Sequence, residues 1–303
     1  MRRLKPYLQL VRLPNVFTAA ADSVAGWLLA GGSPRNVVGW APLALASMTI
    51  YAAGIAWNDY FDYEIDLIER PGRPLPSGRI SRRFAGLLAA GLAFVGLASA
   101  SLAGPGPAAV ALALVGCILA YNVGLKRTPL GPWAMGSCRG LDVLLGLVGA
   151  SGLAFGGNGG LLVVVALVAY IAGVTYISRS EVVEGPAQGT SLGLGLQVAA
   201  IAGLLVAAFR PSLFSNPSLN RPLIPVEGLL ILVLVAWSIV WAGAGALREQ
   251  TGLSRRKAVK TGVLALVWLH VGVVAAVRGV PEALLVAAWW PPAFLLGRWI
   301  YST

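Results

Sequence analysis

Apolar residues run through this chain in long blocks separated by short polar segments. The blocks fall near residues 15–32, 38–58, 84–103, 107–125, 134–155, 160–178, 190–209, 226–247, 259–278 and 282–300. Each approaches the length of about 20 residues that an α-helix needs to cross the hydrocarbon core of a bilayer. The pattern predicts an all-α fold, a polytopic transmembrane bundle of about nine helices. The last block is a tenth candidate, since Trp289, Trp290, Pro291 and Pro292 also suit an interfacial segment anchored by aromatics. Met1 to Ala30 has the basic start and apolar run of a signal peptide, but Pro14, Asn15 and Asp22 interrupt it and further spans follow. It is read as an uncleaved first helix.

Composition supports this picture. Hydrophobic residues make up 57% of the 303 and charged residues 12%, with mean hydropathy +0.76, whereas soluble domains carry about 25% charged residues. A length near 300 therefore reads as one bundle spanning residues 1–303. The net charge of +11 does not point to nucleic acid, because the Lys and Arg residues sit between apolar runs, where cytoplasmic loops face acidic lipid. With the N-terminus in the cytoplasm, 17 cations fall on the inner side and only four (Arg35, Arg210, Arg221 and Arg278) on the outer. The positive-inside rule then places the N-terminus in the cytoplasm, and the Pro-rich stretch from Arg210 to Val226 on the outer face. Cys117 and Cys138 lie within apolar segments and offer neither a disulfide framework nor a CxxC site.

Twelve acidic residues are present, and Asp59, Asp62, Glu64, Asp66 and Glu69 fall within eleven positions at the inner end of the second span. Asn58, Asp62 and Asp66, spaced i, i+4, i+8, share one side of a helix, and Asp59 adds a neighbouring ligand. Like charges on one face repel unless a cation lies between them. Carboxylate and amide oxygens are hard ligands that suit Mg²⁺, which keeps open positions for water and phosphate. The competing reading is ion pairing with Arg70, Arg73 and Arg79. Basic residues complement the acids: Arg73 and Arg79 follow them, Tyr121, Lys126 and Arg127 close the fourth span, and Arg139 opens the fifth beside Asp142. Such cations hold phosphate oxygens and stabilise a departing diphosphate, and a charge at membrane depth such as Arg139 needs a partner. A weaker acidic patch, Glu181 and Glu184, ends the sixth span beside Tyr176, Ser178 and Arg179; its place in the helix count hints at internal duplication. His270 is expected to be a hydrogen-bonded bundle residue, and Asp22, inside the first span, is either functional or paired with a neighbouring helix.

Asn58-Asp59-Tyr60-Phe61-Asp62-Tyr63-Glu64-Ile65-Asp66, followed by Arg73-Pro74-Leu75-Pro76-Ser77-Gly78-Arg79-Ile80-Ser81, resembles the NDxxDxxxD signature and RPLPSGxIS tail of the UbiA prenyltransferase superfamily. Arg12-Leu13-Pro14-Asn15 looks like that family's first-helix motif, and Tyr121-Asn122-Val123-Gly124-Leu125-Lys126 like its YxxxxK element. The run from Ile177 to Gly185 looks most like the EboC-type branch. The resemblance implies a nine-helix fold whose central cavity binds a prenyl diphosphate, with two acidic motifs facing each other across two Mg²⁺ ions. It further implies transfer of the prenyl group to a hydrophobic, often aromatic, acceptor. Asn58, Asp62 and Asp66 would then hold one Mg²⁺, with Asp59 adjacent; Arg73, Lys126 and Arg139 would contact the diphosphate; and Arg12, Asn15 and Tyr121 would line the pocket. Where members carry a second aspartate-rich motif, this chain has Glu181 and Glu184, with Arg179 and Pro186 where acids are expected. Three readings follow: the two glutamates still bind Mg²⁺, Arg179 supplies part of the metal's charge, or the chain is a noncatalytic prenyl-lipid binding or transport component.

Overall fold

The computed structural model describes residues 4–181, 184–214 and 226–301. Arg2, Arg3, Arg221, Val182, Val183 and most of the expected outer loop between Arg210 and Val226 lie outside the described residues. Among those described, secondary structure is helical throughout: α1 (Lys5–Leu10), α2 (Leu13–Leu29), α3 (Val37–Phe61), α4 (Tyr63–Glu69), α5 (Arg82–Leu102), α6 (Pro105–Val123), α7 (Gly131–Ser151), α8 (Gly157–Arg179), α9 (Gln188–Phe209), α10 (Val226–Glu249), α11 (Gly252–Val277), α12 (Val280–Ala287) and α13 (Trp290–Tyr301), with short 3-10 turns after α6, α7 and α9.

Nine of the described helical stretches are long and apolar enough to cross a membrane. The set differs from the expectation at both ends. Helix α2 has 17 residues, about 26 Å at 1.5 Å per residue, and falls short by length, yet almost all of it is buried between α3, α7, α11 and α13. The C-terminal candidate qualifies over Val280–Arg298, but it is broken between α12 and α13, and α13 folds back onto α2. Helix α11 also begins at Gly252, before the expected 259. Thr251 caps it in a reciprocal box with Ser254, so Arg255 to Lys260 lie in its first turns instead of in a loop.

Burial is graded as a bundle in lipid requires. Two-thirds of the apolar window of α11 is covered by protein but only 22% of that of α10, and Trp237 and Trp241 of α10 stack on each other on the exposed face. Helices α2 and α7 meet at the tightest seam. A Cβ on Gly146 would lie 1.9 Å from the Ser23 carbonyl oxygen, and one on Gly26 2.2 Å from that of Val143. Small residues let backbones approach where no aqueous hydrophobic effect drives association. Gly146→Ala must push α2 away from α7, and overpacking of this kind costs about 1–3 kcal/mol. A lower unfolding midpoint in detergent is the expected result; an unchanged midpoint would show that the seam can relax without cost.

Candidate active site

Helix α3 ends at Phe61 and α4 starts at Tyr63, but the helical hydrogen-bond ladder continues through the joint. The Asp62 amide donates to Asn58 O (3.0 Å), Asp66 to Asp62 O (2.8 Å) and Arg70 to Asp66 O (3.0 Å). The i, i+4, i+8 stacking read from the sequence is therefore present in the backbone. Asp59 and Asp66 are buried, at 4% and 2% exposure, and Asp62 lies closer to the surface, its side chain 18% exposed.

The cations that lie between these like charges are the protein's own. Arg73 bridges Asp66 (2.6 Å) and Asp59 (3.4 Å), Arg12 approaches Asp59 at 3.8 Å, and Lys126 pairs with Asp62 at 2.7 Å. Ion pairing and one-sided spacing thus coexist. Asn58 donates to Asn122 Oδ1 (3.1 Å), and Asn122, itself buried, donates to Gly54 O (3.2 Å). Asn122 was visible only as part of the YxxxxK-like run, and its role in tying α6 to α3 has no signal in spacing. Tyr121 lies in the electrostatic environment of Asp62, Arg12 and Arg179. Asn15 is half-buried in the first turn of α2, its carbonyl accepting from Thr18 Oγ1 at 2.7 Å.

Arg12 is the hinge between α1 and α2. Its backbone is left-handed (φ 46°, ψ 52°), a conformation uncommon for a residue with a Cβ. The turn aims a cation from the first helix at Asp59 of the second span.

Two expected groups sit elsewhere. Arg139 is buried on α7, 2.6 Å from Asp22 and 2.7 Å from Thr18 Oγ1, with its guanidinium 4.9 Å above the Tyr51 ring. Asp22 is also 2.7 Å from His270 Nε2. Tyr51 precedes Asp62 by eleven residues on α3, about 16 Å along the axis. Arg139 therefore belongs to a deeper polar knot joining α2, α3, α7 and α11, away from the acid face. His270 and Asp22 find partners there, as their depth demanded.

The second acidic patch is likewise engaged. Glu181 lies 3.6 Å from Arg256, and Glu184 accepts from the Gly252 amide at the start of α11 (3.3 Å). Burial holds the Glu181 carboxyl above its usual range, against the pull of Arg256. Arg179 donates to the carbonyls of Thr128 (3.0 Å) and Lys126, so it braces the turn that carries Lys126. Buried Arg255 donates to Thr190 Oγ1 (3.1 Å) and to the carbonyls of Ser180 (3.0 Å) and Gly185. These bonds anchor the described ends of the patch to α9 and α11.

As a donor set, Asn58, Asp59, Asp62 and Asp66 supply hard oxygens on one helical segment beside movable cations. That chemistry fits Mg²⁺. The Glu181 carboxylate faces the Arg256 guanidinium, and the Glu184 carboxylate accepts from the Gly252 amide. Among the described residues, no group of three Asp, Glu, His or Cys side chains is gathered tightly enough to hold a metal; the first motif is occupied by its ion pairs.

The model of the UbiA prenyltransferase family matches residues 19–260. The chain belongs to that family. It is an integral, multi-pass membrane protein and a prenyltransferase, and the noncatalytic reading gives way. A digeranylgeranylglyceryl phosphate synthase of Methanopyrus kandleri is 31% identical over 271 residues, covering 86% of this chain and 96% of the relative. A solved structure described as a digeranylgeranylglyceryl phosphate synthase in membranes aligns with TM-score 0.67 at 20% identity, over 93% of this chain and all of the other. A UbiA homologue from Archaeoglobus fulgidus, solved with GPP and Mg²⁺, aligns with TM-score 0.57 at 15% identity, over 88% and 99%. The two structures establish the likeness of fold. The EboC-type branch is corrected by the relative's name: the run from Ile177 to Gly185, on which that reading rested, is short beside a match over most of both chains.

Proposed function

We propose that this UbiA-family protein transfers a geranylgeranyl group from its diphosphate to the free glycerol hydroxyl of geranylgeranylglyceryl phosphate. The product named for the Methanopyrus kandleri relative, less one geranylgeranyl group, is that acceptor, so an aromatic acceptor is not required. The observation that carries the chemistry is the acid face of α3 and α4, with Lys126 on Asp62 and Arg73 on Asp59 and Asp66.

Asn58, Asp59, Asp62 and Asp66 are the residues that would hold Mg²⁺, the ion bound in the structure of the Archaeoglobus homologue. When bound, the ion would draw charge from the diphosphate oxygens and make the diphosphate a better leaving group. Lys126 and Arg73 exchange their carboxylate partners for phosphate oxygens and stabilise the charge that develops as the allylic C–O bond breaks. Arg179 keeps Lys126 in place through the turn carbonyls. The surrounding apolar helices exclude water that would otherwise capture the allylic carbon. The acceptor oxygen forms the new ether bond, its proton is released, and pyrophosphate departs. Arg12, Asn15 and Tyr121 line this end of the bundle, while Arg139 acts from a distance as part of the α2 to α7 seam. The chain works as one unit over residues 1–303, with the acid face cytoplasmic, as the loop cations favour.

The test is pyrophosphate release from geranylgeranyl diphosphate and Mg²⁺ with the purified protein, comparing geranylgeranylglyceryl phosphate with aromatic acids as acceptors. Release that depends on the glyceryl phosphate is expected; release with an aromatic acid alone would overturn the acceptor assignment. In the same assay Glu181→Gln is expected to retain turnover within about tenfold, since its carboxylate serves Arg256, partly exposed, and such pairs contribute little. Loss as complete as that of a first-motif variant would return Glu181 to the metal site.

A further inference from the structure

Outside the acid face, helix packing brings two thiols together. Cys117 on α6 and Cys138 on α7 lack the CxxC spacing that would mark them in sequence, yet their sulfurs lie side by side. Cys138 Sγ donates to Cys117 Sγ at 3.5 Å, and Cys117 Sγ donates to the carbonyl of Ala134, one turn earlier on α7, at 3.5 Å. Both are free and partly exposed. Cys117 precedes the end of α6 at Val123 by six residues, and Cys138 follows the start of α7 at Gly131 by seven. Each therefore sits about 10 Å inside the helix end that flanks the Lys126 turn. At that depth the oxidants that reach the pair are those that dissolve in the membrane.

The pair is placed to act on the Lys126 turn. A bond between the sulfurs closes a ring of chain that contains Tyr121, one turn beyond Cys117, and the 3-10 turn Leu125–Arg127. Lys126 reaches Asp62 from that turn at 2.7 Å, and Tyr121 lies in the electrostatic environment of both Cys138 and Asp62. To bond, sulfurs now 3.5 Å apart must close to about 2.05 Å. The two helices do not share that movement equally. Helix α7 is clamped, because a Cβ on Gly136 would overlap the Val168 carbonyl of α8, as one on Gly146 would overlap that of Ser23 on α2. Helix α6 has only 28% of its apolar window covered by protein, and a Cβ on Gly116, beside Cys117, would meet nothing within 4 Å. Closure therefore falls on α6 and, through it, on the turn that carries Lys126.

We propose that Cys117 and Cys138 are a reversible redox modification site, oxidised by a membrane-dissolved quinone to a disulfide that displaces the Lys126 turn and slows prenyl transfer. Two S–H bonds break and one S–S bond forms; the quinone takes up both protons and both electrons and leaves as the hydroquinone. A small dithiol reverses the step by exchange. A low-lying disulfide of this kind, next to a resolving partner, is the form that sensing cysteines take. The effect on transfer rests on the role given to Lys126 under the proposed function, whereas formation of the disulfide does not.

The experiment treats the full-length protein in detergent micelles with duroquinone, whose fully substituted ring leaves no position for a thiol to add. Mass spectrometry without reductant should show loss of two hydrogens, no adduct and no cross-linked dimer. Tryptic peptides on either side of Arg127 should stay joined until dithiothreitol is added. Affinity for geranylgeranyl diphosphate should fall, and pyrophosphate release should drop by about tenfold or more, since an ångström of misplacement costs up to about a hundredfold. Both should recover with dithiothreitol. Cys117→Ser and Cys138→Ser, made separately, should match reduced wild type and ignore the quinone. Thiols left free after treatment overturn the site, as does a dimer linked through them. A disulfide that leaves affinity and release unchanged overturns its control of the Lys126 turn, and so does equal inhibition of the two serine variants, which would place the quinone's action elsewhere. If reduced wild type neither binds nor turns over the diphosphate, the proposed reaction fails, while the peptide linkage still decides the modification site.

Discussion

Asp62→Asn is expected to lower turnover by about a hundredfold to a thousandfold, the range seen when one preorganised electrostatic contact is removed from a site of developing charge. The substitution keeps the shape of the side chain and deletes one negative charge from the set Asn58, Asp62, Asp66. It removes the partner of Lys126, 2.7 Å away, and weakens the hold on any divalent ion there. The fold should survive. Asp62 is the least buried of the three aspartates, and the joint between α3 and α4 is held by backbone bonds to Asn58 and Asp66. Steady-state turnover beside an unfolding curve checks both parts, and unchanged turnover in a folded variant would remove Asp62 from the mechanism.

The largest expected effect on stability lies elsewhere. Asp22 is 1% exposed and receives Arg139 at 2.6 Å, with His270 at 2.7 Å. Asp22→Leu leaves a guanidinium in the bundle interior with Thr18 Oγ1, the Tyr51 ring and the neighbouring buried Asp142 carboxyl as its remaining partners. Breaking a buried pair from one side costs about 3–5 kcal/mol because the surviving charge is uncompensated, whereas replacing both partners with apolar residues is often neutral. The thermal midpoint should therefore fall by roughly 10 °C in Asp22→Leu and recover substantially in Asp22→Leu combined with Arg139→Met. Equal destabilisation in the single and double variants would mean that the pair is not the source of the effect.

The fold was legible because lipid imposes its constraints on composition directly: blocks of about 20 apolar residues have few structural solutions. Exceptions arose where packing overrode length, as in the short but enclosed α2 and in the broken C-terminal span. The acid face was legible because its spacing is local and survives the joint at Asp62. Contacts that join distant parts of the chain were not. The family resemblance gave Arg139 a diphosphate to contact, whereas in the fold it pairs with Asp22, more than a hundred residues earlier. Similarly, Glu181 and Glu184 read as metal ligands until Arg256 and the Gly252 amide are brought beside them by α11. Arg179 read as a substitute for metal charge, and its guanidinium instead braces the Lys126 turn. In each case the partner is supplied by helix packing, which local pattern does not encode.

The most direct measurement of the central claim is the mass and linkage of the product formed by purified protein from geranylgeranyl diphosphate, geranylgeranylglyceryl phosphate and Mg²⁺. One new ether to the glycerol oxygen, with one pyrophosphate released per ether and neither formed by Asp62→Asn, is the predicted result. Pyrophosphate release with geranylgeraniol as the prenyl product, or an ether formed equally well by Asp62→Asn, would contradict the account.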